Sequence, residues 1–148
     1  LKNAQASKVK MILPHDVVSA PEMSAHSSWK VRSLDELGSD EAGFDIGPET
    51  ALNFELMLSD ANTIIWNGPL GVSEIPSFST GTQSIASVVR HRTEEGAITI
   101  IGGGDTASAL KQSGINEGFT HISTGGGASL QLLSGKELPA FEALKIYV

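Results

Sequence analysis

Three glycine-rich segments, each directly after a short run with β-branched residues, constrain the fold of this chain more than any other feature. Residues 67–72 read Asn-Gly-Pro-Leu-Gly-Val and follow an apolar run that ends at Trp66. Residues 102–106 read Gly-Gly-Gly-Asp-Thr, and residues 125–129 read Gly-Gly-Gly-Ala-Ser. The second and third segments run directly into patterns typical of helices. Bare backbone N–H groups at a helix N-terminus bind anions, so several such loops at one sheet edge indicate a polyphosphate ligand.

The order of strand and helix patterns predicts an α/β fold. The patterns alternate along the second half of the chain, with buried strands at 63–66, 97–101 and 119–122 and helices at 80–92, 106–112 and 128–134. This alternation is typical of βαβ units, whose right-handed crossovers make the strands parallel. Parallel strands bring their C-terminal loops to one edge, where open α/β sheets bind ligands. We therefore expect a Rossmann-like three-layer α/β/α fold with a mainly parallel sheet.

The first half of the chain shows weaker patterns. Residues 9–13 predict a strand that ends at Pro14, since proline cannot donate to a β-ladder, and Val17 and Val18 are candidates to continue it beyond that break. The pattern of residues 29–31 predicts an edge strand. Residues 48–58 predict a helix with Pro48 in its first turn.

Composition narrows the possible functions. A length of 148 residues predicts one domain with a sizeable core. The net charge of −7 argues against a nucleic-acid partner, because such surfaces are basic. The absence of cysteine excludes disulfides, thiolate metal sites and a cysteine nucleophile, and the absence of long apolar runs predicts no membrane span. The first residue, Leu1, is not an initiator methionine, and we expect the chain to be the interior of a longer one.

The second glycine loop carries a carboxylate, which would repel phosphate unless a cation lay between them. Mg²⁺ is usually held by one or two carboxylates together with phosphate oxygens. Asp105 and Thr106 are therefore candidates for a metal–phosphate pair, with the Thr106 hydroxyl donating to a phosphate oxygen. An alternative is that Asp105 caps a helix beginning at Thr106, and the two roles are compatible. A dinucleotide fingerprint is disfavoured, because no acidic residue ends the next strand.

The other two loops have functional and structural interpretations. Residues 125–127 are predicted to aim N–H donors at a transferring or terminal phosphoryl group, and the alternative is a tight strand-to-helix turn. In the first loop, Pro69 fixes φ while Gly68 and Gly71 allow close approach. Glu74 is a candidate acceptor for ribose hydroxyls, or a solvated loop carboxylate. The three loops contain no Lys or Arg, so a catalytic cation would come from elsewhere.

Taken together, these motifs resemble the nucleotide domain of phosphoglycerate kinases. The likeness extends to residues 13–18, 44–50 and 132–139, occurs in the family's order and covers nearly the whole chain. It implies that residues 1–148 are the C-terminal part of the nucleotide-binding domain. The N-terminal substrate domain and the start of the nucleotide domain, with its Gly-Gly-x-Lys loop and catalytic lysine, are then missing from this sequence.

The resemblance implies a role for each loop. Asp105 would contact the nucleotide-bound Mg²⁺, and Thr106 would bind nucleotide phosphate. Gly125, Gly126 and Gly127 would donate N–H groups toward the transferring phosphoryl. The further residues implied in nucleotide binding, at the phosphates, the ribose and the adenine pocket, are Gly43, Phe44, Asn67, Gly68, Pro69, Val72, Glu74, Gly103 and Gly104.

The activity implied by the resemblance is phosphoryl transfer between 1,3-bisphosphoglycerate and ADP, giving 3-phosphoglycerate and ATP in glycolysis. Mg-ATP and Mg-ADP are the implied nucleotides, and the missing domain would bind the phosphoglycerate. The full-length enzyme would be a cytoplasmic monomer, with an organellar form left open, and without nucleic-acid or membrane partners. We expect the 148-residue chain alone to be inactive and to bind nucleotide weakly at best. Two alternatives remain open, a free-standing nucleotide- or phosphate-binding module and a structural domain whose glycine loops are only turns.

Overall fold

The computed structural model describes residues 2–146, which form helices around two three-stranded sheets. In chain order the elements are α1 (Lys2–Ala6), β1 (Asp16–Ala20), β2 (Lys30–Ser33), β3 (Ala42–Ile46), α2 (Pro48–Leu58), β4 (Thr63–Asn67), α3 (Thr80–Glu94), β5 (Ile98–Gly102), α4 (Gly104–Gln112), β6 (His121–Ser123), α5 (Gly126–Leu133) and α6 (Pro139–Ala143). None of the helices in residues 2–146 has the length and apolar character needed to cross a membrane.

The second half of the chain forms the parallel sheet that its pattern predicted. β5 lies at the centre, with β4 and β6 on either side. The register pairs Asn67 with Gly102 and Gly102 with Ser123, which are the last residues of the three strands. The three glycine loops therefore leave the sheet at the same edge. The predicted Rossmann-like α/β fold class is confirmed.

The core lies on one face of this sheet. Its buried side chains come from β4, β5, α3, α4 and the end of β3, and they are Ile46, Ile64, Trp66, Ile85, Ala86, Val89, Ile101 and Leu110. Burying one large aliphatic side chain contributes about 1.5–3 kcal/mol. On the opposite face, Ile65 and Ile98 stay 46% and 52% exposed. The prediction that residues 63–66 form a fully buried strand is therefore wrong on that face, since burial of both faces needs a layer on each side.

The antiparallel sheet in the first half of the chain corrects one strand prediction. Residues 9–13 form no strand, and Val9 and Leu13 are largely exposed. The strand begins at Asp16 instead, because β2 and β3 provide ladder partners only from that residue onward. The predicted edge strand is confirmed as β2, at the edge of the order β2-β1-β3. β3 was not predicted from the sequence.

Helices α4 and α5 each begin two residues before their predicted starts, at Gly104 and Gly126. Glycine has a low helix propensity, which hid the first turns in the sequence pattern. Both turns are closed by backbone hydrogen bonds, from Ala107 N to Gly103 O at 3.1 Å and from Ser129 N to Gly125 O at 2.9 Å. The glycines of the second and third loops therefore belong to helix N-termini.

Two buried aspartates of the antiparallel sheet cap helices α2 and α3. Asp16 Oδ1 accepts a hydrogen bond of 2.7 Å from Thr50 N in α2, and Asp45 Oδ2 accepts one of 2.8 Å from Gly81 N in α3. Burial raises the pKa of Asp45 to about 6, against the opposing effect of its backbone N–H donors. For Asp16, burial is outweighed by hydrogen bonds from Thr50 and Glu49, so its pKa lies below the ordinary value of 3.8.

We expect the core and exposed faces of β5 to differ in their response to truncation. Ile101→Ala removes a fully buried side chain and should lower the free energy of unfolding by about 2–5 kcal/mol. Ile98→Ala, on the exposed face of the same strand, is the matched control and should change it by less than about 1 kcal/mol. Urea unfolding followed by circular dichroism measures both. Equal losses would contradict the one-sided core.

The raised pKa of Asp45 predicts a pH dependence of stability. Because its folded pKa of about 6 exceeds the ordinary value of 3.8, the folded state takes up a proton first as pH falls through this window. Asp45 should therefore add stability as pH drops from about 7.5 to about 5, by about 1 kcal/mol. Asp45→Asn should lack this gain, and urea unfolding at both pH values gives the comparison. The same pH response in both proteins would refute the raised pKa of Asp45.

The contribution of Asp16 to stability has the opposite sign, because its pKa is lowered in the folded state. This contribution is lost only as pH falls below about 4.

Candidate functional site

The Asn67 side chain lies between glycines of the other two loops. A Cβ atom on Gly103 would lie 2.9 Å from Asn67 Oδ1, and one on Gly126 would lie 2.7 Å from it. The Gly126 Cβ would also lie 2.6 Å from Gly103 Cα. These distances are shorter than side chains tolerate, so glycine is required where the loops meet. The three loops that the sequence placed at one edge are therefore in contact.

Hydrogen bonds join the loops to one another. Gly103 N donates to Ser123 O at 2.9 Å, which connects the second and third loops. Gly68 N donates to Thr106 Oγ1 at 2.8 Å, and this hydroxyl donates to Gly102 O at 2.8 Å. Thr106 is buried, with 1% of its surface exposed. In this structure its hydroxyl joins the first loop to the second, and a contact with phosphate stays a prediction.

The outer surface of the site is formed by backbone and one carboxylate. Gly104, Asp105, Gly125 and Gly127 are exposed there, together with the Asn67 side chain. The first N–H groups of a helix have no partner within the helix, and they carry its positive dipole end. Two such ends, those of α4 and α5, meet at this edge. The arrangement suits an anion with several oxygens.

Asp105 is exposed at the N-terminal end of α4. It lies in the first turn of α4, and no group within residues 2–146 donates a hydrogen bond to its carboxylate. The N-cap position is held by Gly103 without a side-chain bond, so Asp105 does not act as the cap. Residues 2–146 contain no cluster of three or more His, Asp or Glu suited to a metal. A single carboxylate fits Mg²⁺, which takes its other ligands from phosphate and water.

A second group of residues, predicted to bind the base and ribose of the nucleotide, lies at the far end of the first loop. Val72 N donates to Phe44 O at 2.9 Å, which ties the loop to β3. Both side chains pack against a small core cluster, and the ring centroids of Phe44 and Phe78 are 5.1 Å apart. Gly43 lies exposed beside Phe44 on the same strand, and Glu74 is exposed beyond Val72. The structure therefore brings Gly43, Phe44 and Val72 together, while Pro69 lies half-buried within the loop.

Sequence reasoning missed three residues that hold the first loop. Trp66 Nε1 donates to Gly68 O at 2.6 Å, Leu70 N donates to Thr82 Oγ1 at 3.0 Å, and the Asp45 carboxylate lies against Gly71. A signal for Thr82 exists in the sequence. It lies three residues before Ile85 and therefore on the apolar face of α3, where a fully buried hydroxyl needs a partner.

The fold and these loops define a class, the Rossmann-like α/β proteins whose ligand edge carries glycine-rich helix N-termini. The family model for phosphoglycerate kinase matches residues 1–136. The chain belongs to the phosphoglycerate kinase family.

Several members of this family are similar to the chain over most of its length. The phosphoglycerate kinase of Chloroherpeton thalassium is 47% identical over 144 residues, which is 97% of this chain and 36% of that protein. That of Chlorobium phaeovibrioides is 49% identical over the same shares. The solved structure of phosphoglycerate kinase from Coxiella burnetii is 40% identical with a TM-score of 0.86, and it covers 97% of this chain and 36% of its own. The chain thus spans about a third of the length of the relatives it matches.

Substitution of neighbouring glycines in α5 tests the contact between the loops. Gly126→Ala places a methyl group against Gly103 and Asn67, and we expect a loss of about 1–3 kcal/mol in the free energy of unfolding. Gly127→Ala is the matched control, because no atom lies within 4 Å of the added Cβ. It should be neutral or stabilising by up to about 1 kcal/mol. Urea unfolding measures the change in the free energy of unfolding for both variants. Similar changes in the two would argue against close packing between the loops.

Proposed function

We propose that residues 1–148 are the Mg-ADP- and Mg-ATP-binding portion of a phosphoglycerate kinase, the C-terminal part of its nucleotide-binding domain. The whole enzyme would transfer a phosphoryl group between 1,3-bisphosphoglycerate and ADP, giving 3-phosphoglycerate and ATP in glycolysis. The observation that carries the proposal is the meeting of two glycine-rich helix N-termini and Asp105 at one sheet edge. Membership of the family supports it. A cytoplasmic location stays a prediction.

The first loop would connect the two ends of the nucleotide. At one end, Gly43, Phe44 and Val72 would line the adenine and ribose pocket, and Glu74 would accept ribose hydroxyls. At the other end, Asn67 lies among the glycines that would bind the phosphates. Loop 67–72 runs between these ends, which suits a ligand with an apolar base and an anionic tail.

The phosphates would be held by the N-termini of α4 and α5. Amides in the first turn of α4, from Gly104 onward, would donate to the inner phosphates, beside Gly103, whose own N–H donates to Ser123 O. Amides of Gly125 to Gly127 would face the phosphoryl group that moves. Asp105 would hold Mg²⁺, which when bound neutralises charge on the phosphate oxygens.

The chain would bind nucleotide without transferring phosphoryl groups. The three loops contain no Lys or Arg, and neutralisation of the transferring group normally requires such a cation besides Mg²⁺. The chain also spans only 36% of its relatives' length. Supplying the preceding two thirds of a relative as a separate polypeptide should restore turnover in a coupled assay. A free-standing binding module would gain nothing from this addition.

The role of Asp105 makes a specific prediction about metal dependence. Asp105→Asn should weaken binding of Mg-ADP by about tenfold, or about 1.4 kcal/mol. The same variant should bind metal-free ADP as well as the wild type or better, because a repelling carboxylate is gone. Isothermal titration calorimetry with and without Mg²⁺ measures both.

Glu117→Gln is the matched control for this experiment. It removes an exposed carboxylate in the turn before β6, away from the helix N-termini, and should leave both affinities unchanged. Equal weakening of Mg-ADP and metal-free ADP by Asp105→Asn would contradict a metal role. No heat of binding with wild-type protein at millimolar ADP would contradict the proposed function itself.

A further inference from the structure

We propose that Asp45 is a positioning residue for the nucleotide-site loop at residues 67–72, which its buried carboxylate holds against the N-terminus of α3. This role of Asp45 deepens the proposed function, and it rests on that function for the identity of the ligand. The placement of the loop itself can be measured without nucleotide. Asp45 would not touch the ligand, and its effect would pass through the loop.

The Asp45 carboxylate joins β3 to α3. Only 4% of the residue is exposed. Oδ2 accepts a hydrogen bond of 2.8 Å from Gly81 N in the first turn of α3, and Oδ1 accepts one of 2.9 Å from Ile46 N. The N-cap residue of α3, Ser79, provides no side-chain capping bond. The cap of this helix therefore comes from a strand that is distant in sequence.

The same carboxylate is in contact with the loop. A Cβ atom on Gly71 would collide with an Asp45 carboxylate oxygen and with the Phe78 carbonyl oxygen. A Cβ atom on Gly81 would also collide with Asp45. Glycine at both positions lets the carboxylate fill the space between the loop and the helix. Asp45 therefore contacts the loop and the helix at once.

Three backbone N–H groups of the loop donate to other segments, and two of these three anchors lie on the elements that Asp45 joins. Leu70 N donates to Thr82 Oγ1 at 3.0 Å, and Thr82 follows Gly81 in α3. Val72 N donates to the backbone O of the residue before Asp45, at 2.9 Å. The third anchor, from Gly68 N to a hydroxyl of α4, is independent of β3 and α3. Loss of the Asp45 carboxylate should therefore free residues 70–72 and spare residue 68.

Asp16 provides a control of the same chemistry at a different place. It also lies on a strand, is 4% exposed, and caps a helix through Glu49 N and Thr50 N of α2. A Cβ atom on Gly47 would collide with it, as one on Gly81 would with Asp45. No hydrogen bond within residues 2–146 joins α2 to the loop. Truncation of Asp16 removes a helix cap without removing a loop anchor.

The test compares Asp45→Ala with Asp16→Ala by amide hydrogen exchange and by titration with Mg-ADP. In the absence of nucleotide, Asp45→Ala should accelerate exchange of the Leu70 and Val72 amides about tenfold or more over Asp16→Ala, while the Gly68 amide changes alike in both. The dissociation constant for Mg-ADP should rise in Asp45→Ala relative to Asp16→Ala by the factor by which the fraction of protein with an ordered loop falls, because only that fraction binds. Asp45→Asn, which keeps one acceptor oxygen, should lie between wild type and alanine.

Equal exchange of Leu70 and Val72 in the two alanine variants would overturn the proposal, as would a Mg-ADP affinity that falls equally in both variants. If Asp45→Ala does not fold, Asp45→Asn against Asp16→Asn gives the same comparison. Absence of Mg-ADP binding by the wild type would count against the proposed function, whereas the amide exchange in the unliganded protein would still decide the role of Asp45 in loop placement.

Discussion

The parallel pairing of β4, β5 and β6 is the constraint on which the candidate site depends. The strands are in a register that ends them side by side, at Asn67, Gly102 and Ser123. A shift of one residue would turn each strand's side chains to the other face and would separate the loops that follow. The register is fixed by the core, since Ile64, Trp66 and Ile101 must point at α3 and α4 together. The site thus forms as a consequence of core packing.

Close approach of backbone to backbone is the second requirement. Gly126 lies against Gly103, and both lie against the Asn67 side chain, where the added Cβ atoms would be within 3 Å of their neighbours. Glycine makes this contact possible but lowers helix propensity, so the first turns of α4 and α5 are held by tertiary contacts. The hydroxyl of Thr106 adds a buried link between two loops. The result is a surface of amide donors with one carboxylate beside it.

Much of this arrangement could be predicted from the sequence, because the strand and helix periods in residues 63–134 are regular. The parallel direction of the strands and the shared edge of their loops follow from local patterns. The antiparallel sheet could not be predicted in the same way, since β3 starts with Ala42 and Gly43, which are residue types depleted in strands. The position of β1 depends on its partners β2 and β3, which no local pattern encodes. Asp45 and Thr82 were missed because their roles arise from contacts between distant segments.

The central claim is that the meeting point of the three loops binds Mg-ADP. Titration of the isotope-labelled chain with Mg-ADP, followed by amide chemical shifts, tests it most directly. We predict saturable shifts at Gly104, Asp105 and Gly127, with smaller shifts at Phe44 and Val72 and none in β2 or α6. Shifts that map away from the three loops and Phe44, or no shifts at millimolar Mg-ADP, would contradict the account.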